Sequence, residues 1–328
     1  MVRPLLYGLI LLAVVAAGGS YGYRWVQDRF DAPGPLDAPV IVDLPSGTGL
    51  AAVAKRLGEV GATDDPTVFQ IAVRLSDQGR ALKAGEYEIP ARASGRAIMA
   101  MLVEGRTIVH RVTVPEGLTS TEIVAIVAAS AVLQGTPPPA PPEGTLLPET
   151  YHVARGDERA AVIARMAADF EAALARLWAA RAPDLPLASP AEAVVLASIV
   201  EKETGVAAER AKVAGVFYNR LARGMPLQSD PTVVYALTGG KAPLGRALTR
   251  DDLGFDSPYN TYQASGLPPG PIANPGVASL EAVLHPEATD ALYFVADGSG
   301  GHAFAMTLAE HNRNVAKWRK IRDQQAAE

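Results

Sequence analysis

The sequence predicts an α+β protein with an N-terminal transmembrane helix, a small α+β lobe and a larger helix-rich domain that carries one β-hairpin. Three observations support this fold class. A long uncharged apolar run stands at the N-terminus, short alternating segments mixed with helical ones follow it, and helical periodicity dominates the second half. With 328 residues, 48% of them hydrophobic, the chain can bury the cores of two or more compact units.

The composition excludes several classes of function. The formal net charge is -5 and no dense run of Lys and Arg occurs, so we expect no nucleic-acid partner. The chain has no cysteine, which excludes disulfides, thiolate metal sites and a cysteine nucleophile. The five histidines lack the spacing of metal ligands and are expected at the surface or in turns. Without a Walker loop or a dinucleotide fingerprint, we expect neither a metal nor a cofactor.

The N-terminal apolar run predicts a membrane anchor within residues 1–24. Residues 4–23 carry no charge and have about the length of one bilayer-spanning helix. Arg3 precedes the run and the charges after it are mixed in sign, which favours a cytoplasmic N-terminus and an external bulk. A cleaved signal peptide is the alternative, because small residues at 16–20 suit a cleavage site. The run continues past them through Tyr21 and Tyr23, which favours the anchor.

The remaining residues divide into five predicted regions. Residues 25–39 are rich in Pro, Ala and Asp towards their end and predict a linker. Residues 40–106 predict a lobe in which two strands enclose two helices, and 107–135 predict a second small α+β lobe. Residues 136–145 predict a hinge, because proline runs continue neither a helix nor a sheet. Residues 146–328 predict the large helical domain, with its hairpin turn at 297–301.

The most informative segment is the apolar helix that ends at Glu203. On a helical wheel started at Val194, Ile199 falls at roughly 140°, Glu203 at about 180° and Glu201 at about 340°. Glu203 therefore continues the apolar stripe, and Glu201 faces away from it. A carboxyl group on an apolar face should have a raised pKa, as a proton donor at neutral pH requires. The alternative is that Glu203 lies past the last buried turn and simply reaches water.

A short polar segment after this helix holds two candidate binding residues. Gln228 and Asp230 could bind sugar hydroxyls or orient Glu203. For Asp230 a structural role is also available, because an aspartate followed by Pro231 is a good helix N-cap. Gln228 has no comparable structural explanation.

A third candidate segment places amide and hydroxyl groups between aromatic rings. Asn260 and Thr261 are flanked by Tyr259 and Tyr262. Tyrosine rings suit the apolar faces of sugar rings, and amide groups suit sugar hydroxyls. The Pro- and Gly-rich residues 266–276 suit a rigid loop beside a cleft. A purely structural loop explains the same pattern equally well.

Taken together, these segments resemble the endolytic murein transglycosylase (YceG-like) family. The resemblance is carried by Leu-Ala-Ser-Ile-Val-Glu-Lys-Glu-Thr at 196–204 and by Met-Pro-Leu-Gln-Ser-Asp-Pro-Thr-Val at 225–233. It continues through 259–262, 266–276 and 293–298, and upstream through 83–87 and 147–151. In that family the second glutamate of the Glu-Lys-Glu-Thr motif is catalytic, which implies Glu203 as the catalytic residue here. Nearly the whole chain is covered.

The resemblance implies a lyase of the bacterial inner membrane whose bulk faces the periplasm. It implies cleavage of nascent peptidoglycan strands between N-acetylmuramic acid and N-acetylglucosamine with 1,6-anhydro ends, and a LysM-like lobe within 40–106. Further partners would be peptidoglycan synthases, the penicillin-binding proteins. The residues that would bind substrate are Gln228, Asp230, Asn260, Thr261 and Tyr262. Two alternatives stay open: a lysozyme-like hydrolase with Asp230 as second carboxylate, and an inactive wall-binding scaffold of the divisome.

Overall fold

The protein is described by a computed structural model that covers residues 2–325, with side chains from Tyr7 onward. Its helices are α1 (Val2–Asp31), α2 (Leu50–Glu59), α3 (Pro66–Leu75), α4 (Gly95–Glu104), α5 (Ser120–Ala129), α6 (Arg159–Ala179), α7 (Pro190–Glu203), α8 (Arg210–Ala222), α9 (Asp230–Thr238), α10 (Val277–Leu284) and α11 (Leu308–Gln325). Its strands are β1 (Val40–Leu44), β2 (Gly85–Ile89), β3 (His110–Thr113), β4 (Thr150–Val153), β5 (Tyr293–Ala296) and β6 (His302–Ala305). They form the two-stranded sheets β1–β2, β3–β4 and β5–β6. The predicted helix-rich α+β class is confirmed.

The described chain folds into two compact units. The first contains the residues up to His110 together with His152–Asp157, and the second contains Arg111–Tyr151 and the residues from Glu158 onward. Residues 111–145, predicted as most of a separate lobe and a hinge, are therefore part of the second unit. The Pro-rich segment is bonded to the start of α5, because the Glu143 carboxylate accepts a 2.8 Å hydrogen bond from the Ser120 amide.

The first unit is built from β1, α2, α3, β2 and α4 in that order. β1 and β2 pair antiparallel, with Val42 opposite Tyr87. Helix α3 starts at a side-chain cap, because the Asp65 side chain accepts from the amides at 67 and 68 and Pro66 occupies the first turn. The apolar faces of the two strands and three helices meet in one core around Phe69, Tyr87 and Leu102. These side chains are at most 1% exposed.

Helix α1 is longer than the predicted anchor and ends inside the first unit. Residues 25–31, predicted as linker, are helical, and Val26 and Phe30 belong to the core of this unit. Their spacing of four residues places both on one helix face, and the Pro-rich composition begins only after this face. Phe30 meets Phe69 edge to face, with ring centroids 5.8 Å apart. Arg96 binds the end of the helix through Asp31.

The apolar part of α1 is exposed. Tyr7–Asp31 is long and apolar enough to cross a membrane by length and composition, and 6% of its apolar window is buried. It is therefore not a core helix of a soluble unit. The predicted N-terminal apolar helix is confirmed, and its properties are compatible with a membrane anchor or with a signal sequence.

Helix α7 forms the centre of the second unit. Its N-cap is Ser189, whose side chain accepts from the Glu192 amide. The helix packs against α6, α8, α9 and α10. Every residue from Ala193 to Val200 is buried, so α7 is enclosed on all sides. The premise of the helical wheel, a helix with one apolar stripe, is wrong for this reason. The predicted hairpin is confirmed in β5 and β6, which pair antiparallel.

A capping box fixes the start of α5. The Thr119 side chain accepts from the Glu122 amide, and the Glu122 carboxylate accepts from the Thr119 amide in return. Replacing Thr119 by alanine should lower the free energy of unfolding by about 1 kcal/mol, because an amide at the helix start loses its partner. Urea unfolding of the full chain in detergent measures this loss. Exposed Thr136 serves as control, since Thr136→Ala should change stability by less than about 0.5 kcal/mol; equal losses in both variants would contradict the role of the box.

Candidate active site

Glu203 is the last residue of α7, at the point where the helix leaves the core. The helix ends because Thr204 adopts an extended conformation, with φ -139 and ψ 128. Thr204 is 2% exposed, and its hydroxyl accepts a 3.0 Å hydrogen bond from the Val206 amide. The chain directly after Glu203 is therefore held in place rather than frayed.

The environment of Glu203 favours its protonated form. Burial raises the pKa of Glu203 to about 7, and the nearby Asp230 carboxylate acts in the same direction. A hydrogen bond that Oε1 accepts from the Ser229 hydroxyl lowers the pKa, as do the charges of His302 and Arg220. The balance leaves a carboxyl group that can both donate and accept a proton near neutral pH.

Ionisation of the Glu203 carboxyl group should lower the stability of the folded protein at alkaline pH. The pKa of Glu203 is higher in the folded state than its ordinary 4.5, so ionisation opposes folding as pH rises from 4.5 through 7. Glu203→Gln should therefore raise the midpoint of thermal unfolding at pH 8 by at least about 2 °C. At pH 4.5 the gain should nearly vanish, because the group is then protonated in the folded state and already about half protonated in the unfolded state. A gain of the same size at both pH values would contradict this electrostatic origin.

Glu201 has a different environment, although it lies two residues away. Its Oε2 accepts a 2.9 Å hydrogen bond from the Gly276 amide, and its Oε1 lies 3.5 Å from the Arg210 guanidinium. The Glu201 side chain is 5% exposed. It thus fixes the loop before α10 to the end of α7, and it faces away from the cavity in front of Glu203.

That cavity measures about 410 Å³ and lies within the second unit. Its walls come from α8, from the turn before α9, from the hairpin and from α11. The polar and aromatic side chains around Glu203 are Arg220, Gln228, Asp230, Tyr262, Tyr293, Phe294, His302 and His311. Of the residues singled out in the sequence, the fold brings Gln228, Asp230 and Tyr262 to the same cavity as Glu203.

Asp230 is the first residue of α9 and not its N-cap. Ser229 occupies the cap position, and its hydroxyl donates to Glu203 instead of capping the helix. Asp230 Oδ1 accepts a 2.7 Å hydrogen bond from the Tyr262 hydroxyl. Burial raises the pKa of Tyr262, so its phenol stays a donor. The expected cap at Asp230 was wrong, because the helix begins one residue earlier and Ser229 takes the cap position.

Asn260 lies beneath the cavity wall and not in it. Its side chain is fully buried, donating to the carbonyls of Leu253 and Phe255 at 3.1 and 2.8 Å. Its Oδ1 accepts from the Tyr262 amide at 3.0 Å. All of its hydrogen-bonding groups are occupied by backbone. We therefore assign Asn260 to the shape of the loop that carries Tyr262.

Thr261 is also buried, and it holds the turn that precedes α9. Its Oγ1 accepts from the Ser229 amide at 3.0 Å and contacts Thr232 Oγ1 at 2.8 Å. Its carbonyl accepts from the Gln228 amide at 3.0 Å. These bonds hold Gln228 at φ 51, a left-handed conformation that is uncommon for this residue type and that exposes its side chain to the cavity.

Arg220 is a residue of the site that the sequence reasoning did not single out. Its side chain is buried on α8, where Nε donates to the Leu292 carbonyl at 2.7 Å and Nη1 to the Leu227 carbonyl at 2.8 Å. It lies 5.2 Å from the centroid of the Tyr293 ring. Its place on the buried face of α8, seven residues after Val213, is the sequence signal that could have found it.

His302 was expected at the surface or in a turn, but it lines the cavity. Its Nδ1 lies 2.7 Å from Glu209 Oε2, and its amide donates to Glu209 Oε1 at 2.9 Å. One carboxylate thus fixes both the ring and the backbone of His302. Glu209 follows the loop that leaves Glu203, so the hairpin and that loop are bonded to each other. No local pattern in the sequence relates positions so far apart.

Comparisons with known proteins place the chain in a family. The YceG-like family model matches residues 42–317. An endolytic murein transglycosylase of Bacillus subtilis is 33% identical over 310 residues, which are 85% of this chain and 84% of that protein. One of Streptococcus pneumoniae is 29% identical over 94% of this chain and 64% of its own length. A solved structure of a YceG-like protein from Listeria monocytogenes, 31% identical, covers 84% of this chain and 98% of its own with a TM-score of 0.54. The predicted membership is confirmed: the chain belongs to the YceG-like family.

Proposed function

We propose that this protein is an endolytic lytic transglycosylase of peptidoglycan with Glu203 as its catalytic residue. One observation carries the proposal. Glu203, with its pKa raised to about 7, borders a cavity of about 410 Å³. The other carboxylate among the described residues that line this cavity is Asp230, which accepts a hydrogen bond from the Tyr262 hydroxyl. The names of the relatives, endolytic murein transglycosylase, support the same activity.

A single carboxyl group suffices when the substrate supplies its own nucleophile. Glu203 donates its proton to the oxygen of the bond between N-acetylmuramic acid and N-acetylglucosamine, and that bond breaks. The C6 hydroxyl of the muramic acid then attacks its own C1 and gives its proton to the Glu203 carboxylate. The product is a 1,6-anhydro end, and Glu203 is protonated again. Ordinary glycosidases need a second carboxylate because water, not the sugar, is their final nucleophile.

The neighbouring residues divide into two roles. Gln228 and the pair of Asp230 and Tyr262 face the cavity and would bind sugar hydroxyls. Asn260 and Thr261 would position them from beneath. A closely shaped site supplies the orientation that the intramolecular attack needs. In this way the fold favours attack by the C6 hydroxyl over attack by water.

The remainder of the chain fits a location at the cell wall. We propose α1 as a single-span anchor of the inner membrane, with a cytoplasmic N-terminus and a periplasmic bulk. Exposed Tyr21 and Tyr23 support an interfacial position at its outer end. The β1-α2-α3-β2 segment would be the LysM-like lobe, peptidoglycan synthases would supply nascent strands, and cleavage would end the elongation of a strand.

Mass spectrometry of the released muropeptides tests the proposed function. The full chain in detergent and its Glu203→Gln variant are incubated with purified glycan strands. Anhydro-ended products that vanish in the variant would support both reaction and residue. Reducing ends would indicate a lysozyme-like hydrolase instead, with Asp230 as second carboxylate. Strands that bind but stay uncleaved by either protein would favour an inactive wall-binding scaffold.

The pH dependence of the reaction offers a further prediction on Ser229. Its hydrogen bond stabilises the ionised form of Glu203, so Ser229→Ala should raise the pKa of Glu203. Because Glu203 must be protonated to begin the reaction, the alkaline limb of kcat/KM should move to higher pH. A pH–rate series on short glycan strands measures this limb. Exposed Ser265, on the loop that carries Tyr262, serves as control. A limb that moves to lower pH in Ser229→Ala would contradict the assigned bond.

A further inference from the structure

A second cavity adjoins the one that holds Glu203. It measures about 370 Å³ and lies entirely within the second unit. Asp230 lines both cavities, and Lys202, which directly precedes Glu203 in the chain, lines the second one. The two cavities therefore share a wall at Asp230, in the first turn of α9.

The wall of this second cavity is largely apolar. It is formed by Pro231, Val234, Tyr235, Pro243, Leu244 and Ile272. The Tyr235 ring packs against the Tyr259 ring with centroids 5.0 Å apart, which fixes the wall from behind. Sugar rings present hydroxyls in most directions, and this wall offers them few partners. Small aliphatic groups gain from contact with it, because they leave water.

A cation stands at the edge of the same cavity. The Lys202 ammonium donates to the Gly117 carbonyl at 3.1 Å. Since an ammonium carries three donors, this bond leaves others for a ligand carboxylate. The carboxylate of Glu122 accepts from Thr119 in the capping box, so it is already engaged. The Lys202 ammonium thus offers a partner for an anionic group beside the apolar wall, in a cavity that the carboxylates of Glu122 and Asp230 also line.

We propose that this second cavity, here named the stem cavity, binds the first residues of the peptide carried by the N-acetylmuramic acid at the scissile bond. The inference rests on the proposed function. That sugar bears, through its lactyl group, a peptide that begins with alanine followed by an acidic residue. Its C1 must lie at Glu203, so its peptide leaves the sugar close to Asp230. The alanine methyl packs on the apolar wall, and Lys202 binds the carboxylate of the acidic residue.

A comparison of two substrates tests the stem cavity. The full chain in detergent is given glycan strands with intact stem peptides and strands from which an amidase has removed them. We expect kcat/KM to be roughly tenfold higher with the peptides, the lower end of what one methyl group gains in an apolar pocket. Ala242, exposed on the cavity wall, offers a blocking variant, since the indole of Ala242→Trp would occupy the cavity. In this variant the ratio of kcat/KM for strands with peptides to kcat/KM for strands without them should fall to about 1.

The matched control is Ala175→Trp, the same change at an exposed position of α6, which should keep the wild-type ratio. Lys202→Met should lower the ratio severalfold while the apolar contact remains. Equal cleavage of both substrates by the wild type would overturn the stem cavity and leave the proposed function intact. Equal slowing of both substrates by Ala242→Trp would also overturn it, because the cavity would then hold the glycan itself.

A binding measurement separates the stem cavity from catalysis. Saturation-transfer NMR on the Glu203→Gln chain compares N-acetylmuramic acid with its alanyl-isoglutamine conjugate. We expect the conjugate to bind more tightly and the advantage to be lost when Ala242→Trp is added. Equal binding of the two probes would overturn the proposal even if strands are cleaved. The proposed function fails separately, if the wild type cleaves neither strand while the conjugate still binds.

Discussion

Replacing Glu203 by glutamine should lower kcat by roughly 10²–10⁴-fold, the range that one general acid–base group contributes. The amide keeps the size of the side chain and can still accept from the Ser229 hydroxyl, but it has no proton to give to the glycosidic oxygen. KM should change little, because the cavity keeps its shape. Initial rates of muropeptide release by the full chain in detergent measure both constants.

Glu201→Gln is the matched control for this variant. The change is the same and lies two residues away, but the Glu201 oxygens bind the Gly276 amide and Arg210 and not the cavity. Its glutamine can still accept from that amide, so kcat should stay within about threefold of the wild type. A larger loss in Glu201→Gln than in Glu203→Gln would refute the assignment of Glu203.

Arg220→Ala should lower the free energy of unfolding by at least about 3 kcal/mol. Its guanidinium donates to three carbonyls, those of Pro226, Leu227 and Leu292, and the alanine would leave them without a partner inside the protein. Each orphaned buried acceptor costs about 1–3 kcal/mol. Urea unfolding followed by tryptophan fluorescence measures the loss.

Arg223 provides the control for Arg220. It lies three residues later at the end of α8 and is exposed, so Arg223→Ala should cost less than about 0.5 kcal/mol. The pH dependence of activity gives a second readout, which a change in stability alone would leave unaltered. The Arg220 charge lowers the pKa of Glu203. Any Arg220→Ala protein that stays folded should therefore show the alkaline limb of its kcat/KM profile at higher pH. Equal stability of the two arginine variants would contradict the bonding described for Arg220.

Much of the fold follows from local signals. The starts of α3, α5 and α7 were predictable because short side chains that cap helices precede a proline or an acidic first turn. The hairpin followed from two apolar segments around a Gly-rich turn. The extension of α1 to Asp31 was missed because it depends on a core that only forms when Phe30 reaches Phe69. Such a contact joins residues that no local pattern relates.

The candidate site was predictable only in part. Glu203 was singled out, although the wheel assumed a one-sided helix and α7 is buried on every side. What distinguishes Glu203 from Glu201 is that one borders a cavity and the other meets the Gly276 amide, and neither property is visible along the helix. Asn260 illustrates a second limit, since an amide that suits a sugar hydroxyl suits a backbone carbonyl equally.

Because α1 is one continuous helix, it fixes the rotation of the first unit about the helix axis relative to the apolar segment of α1. One helix runs from Val2 to Asp31, and its last turns are bonded to this unit through Phe30 and Arg96. Each residue inserted between Tyr23 and Val26 would turn the apolar segment by about 100° and move it by about 1.5 Å along the helix axis. A tether of glycine and serine would transmit neither change. A membrane-spanning α1 would therefore orient the first unit as well as retain it, and a tilt of the helix in a thinner or thicker bilayer would tilt this unit with it.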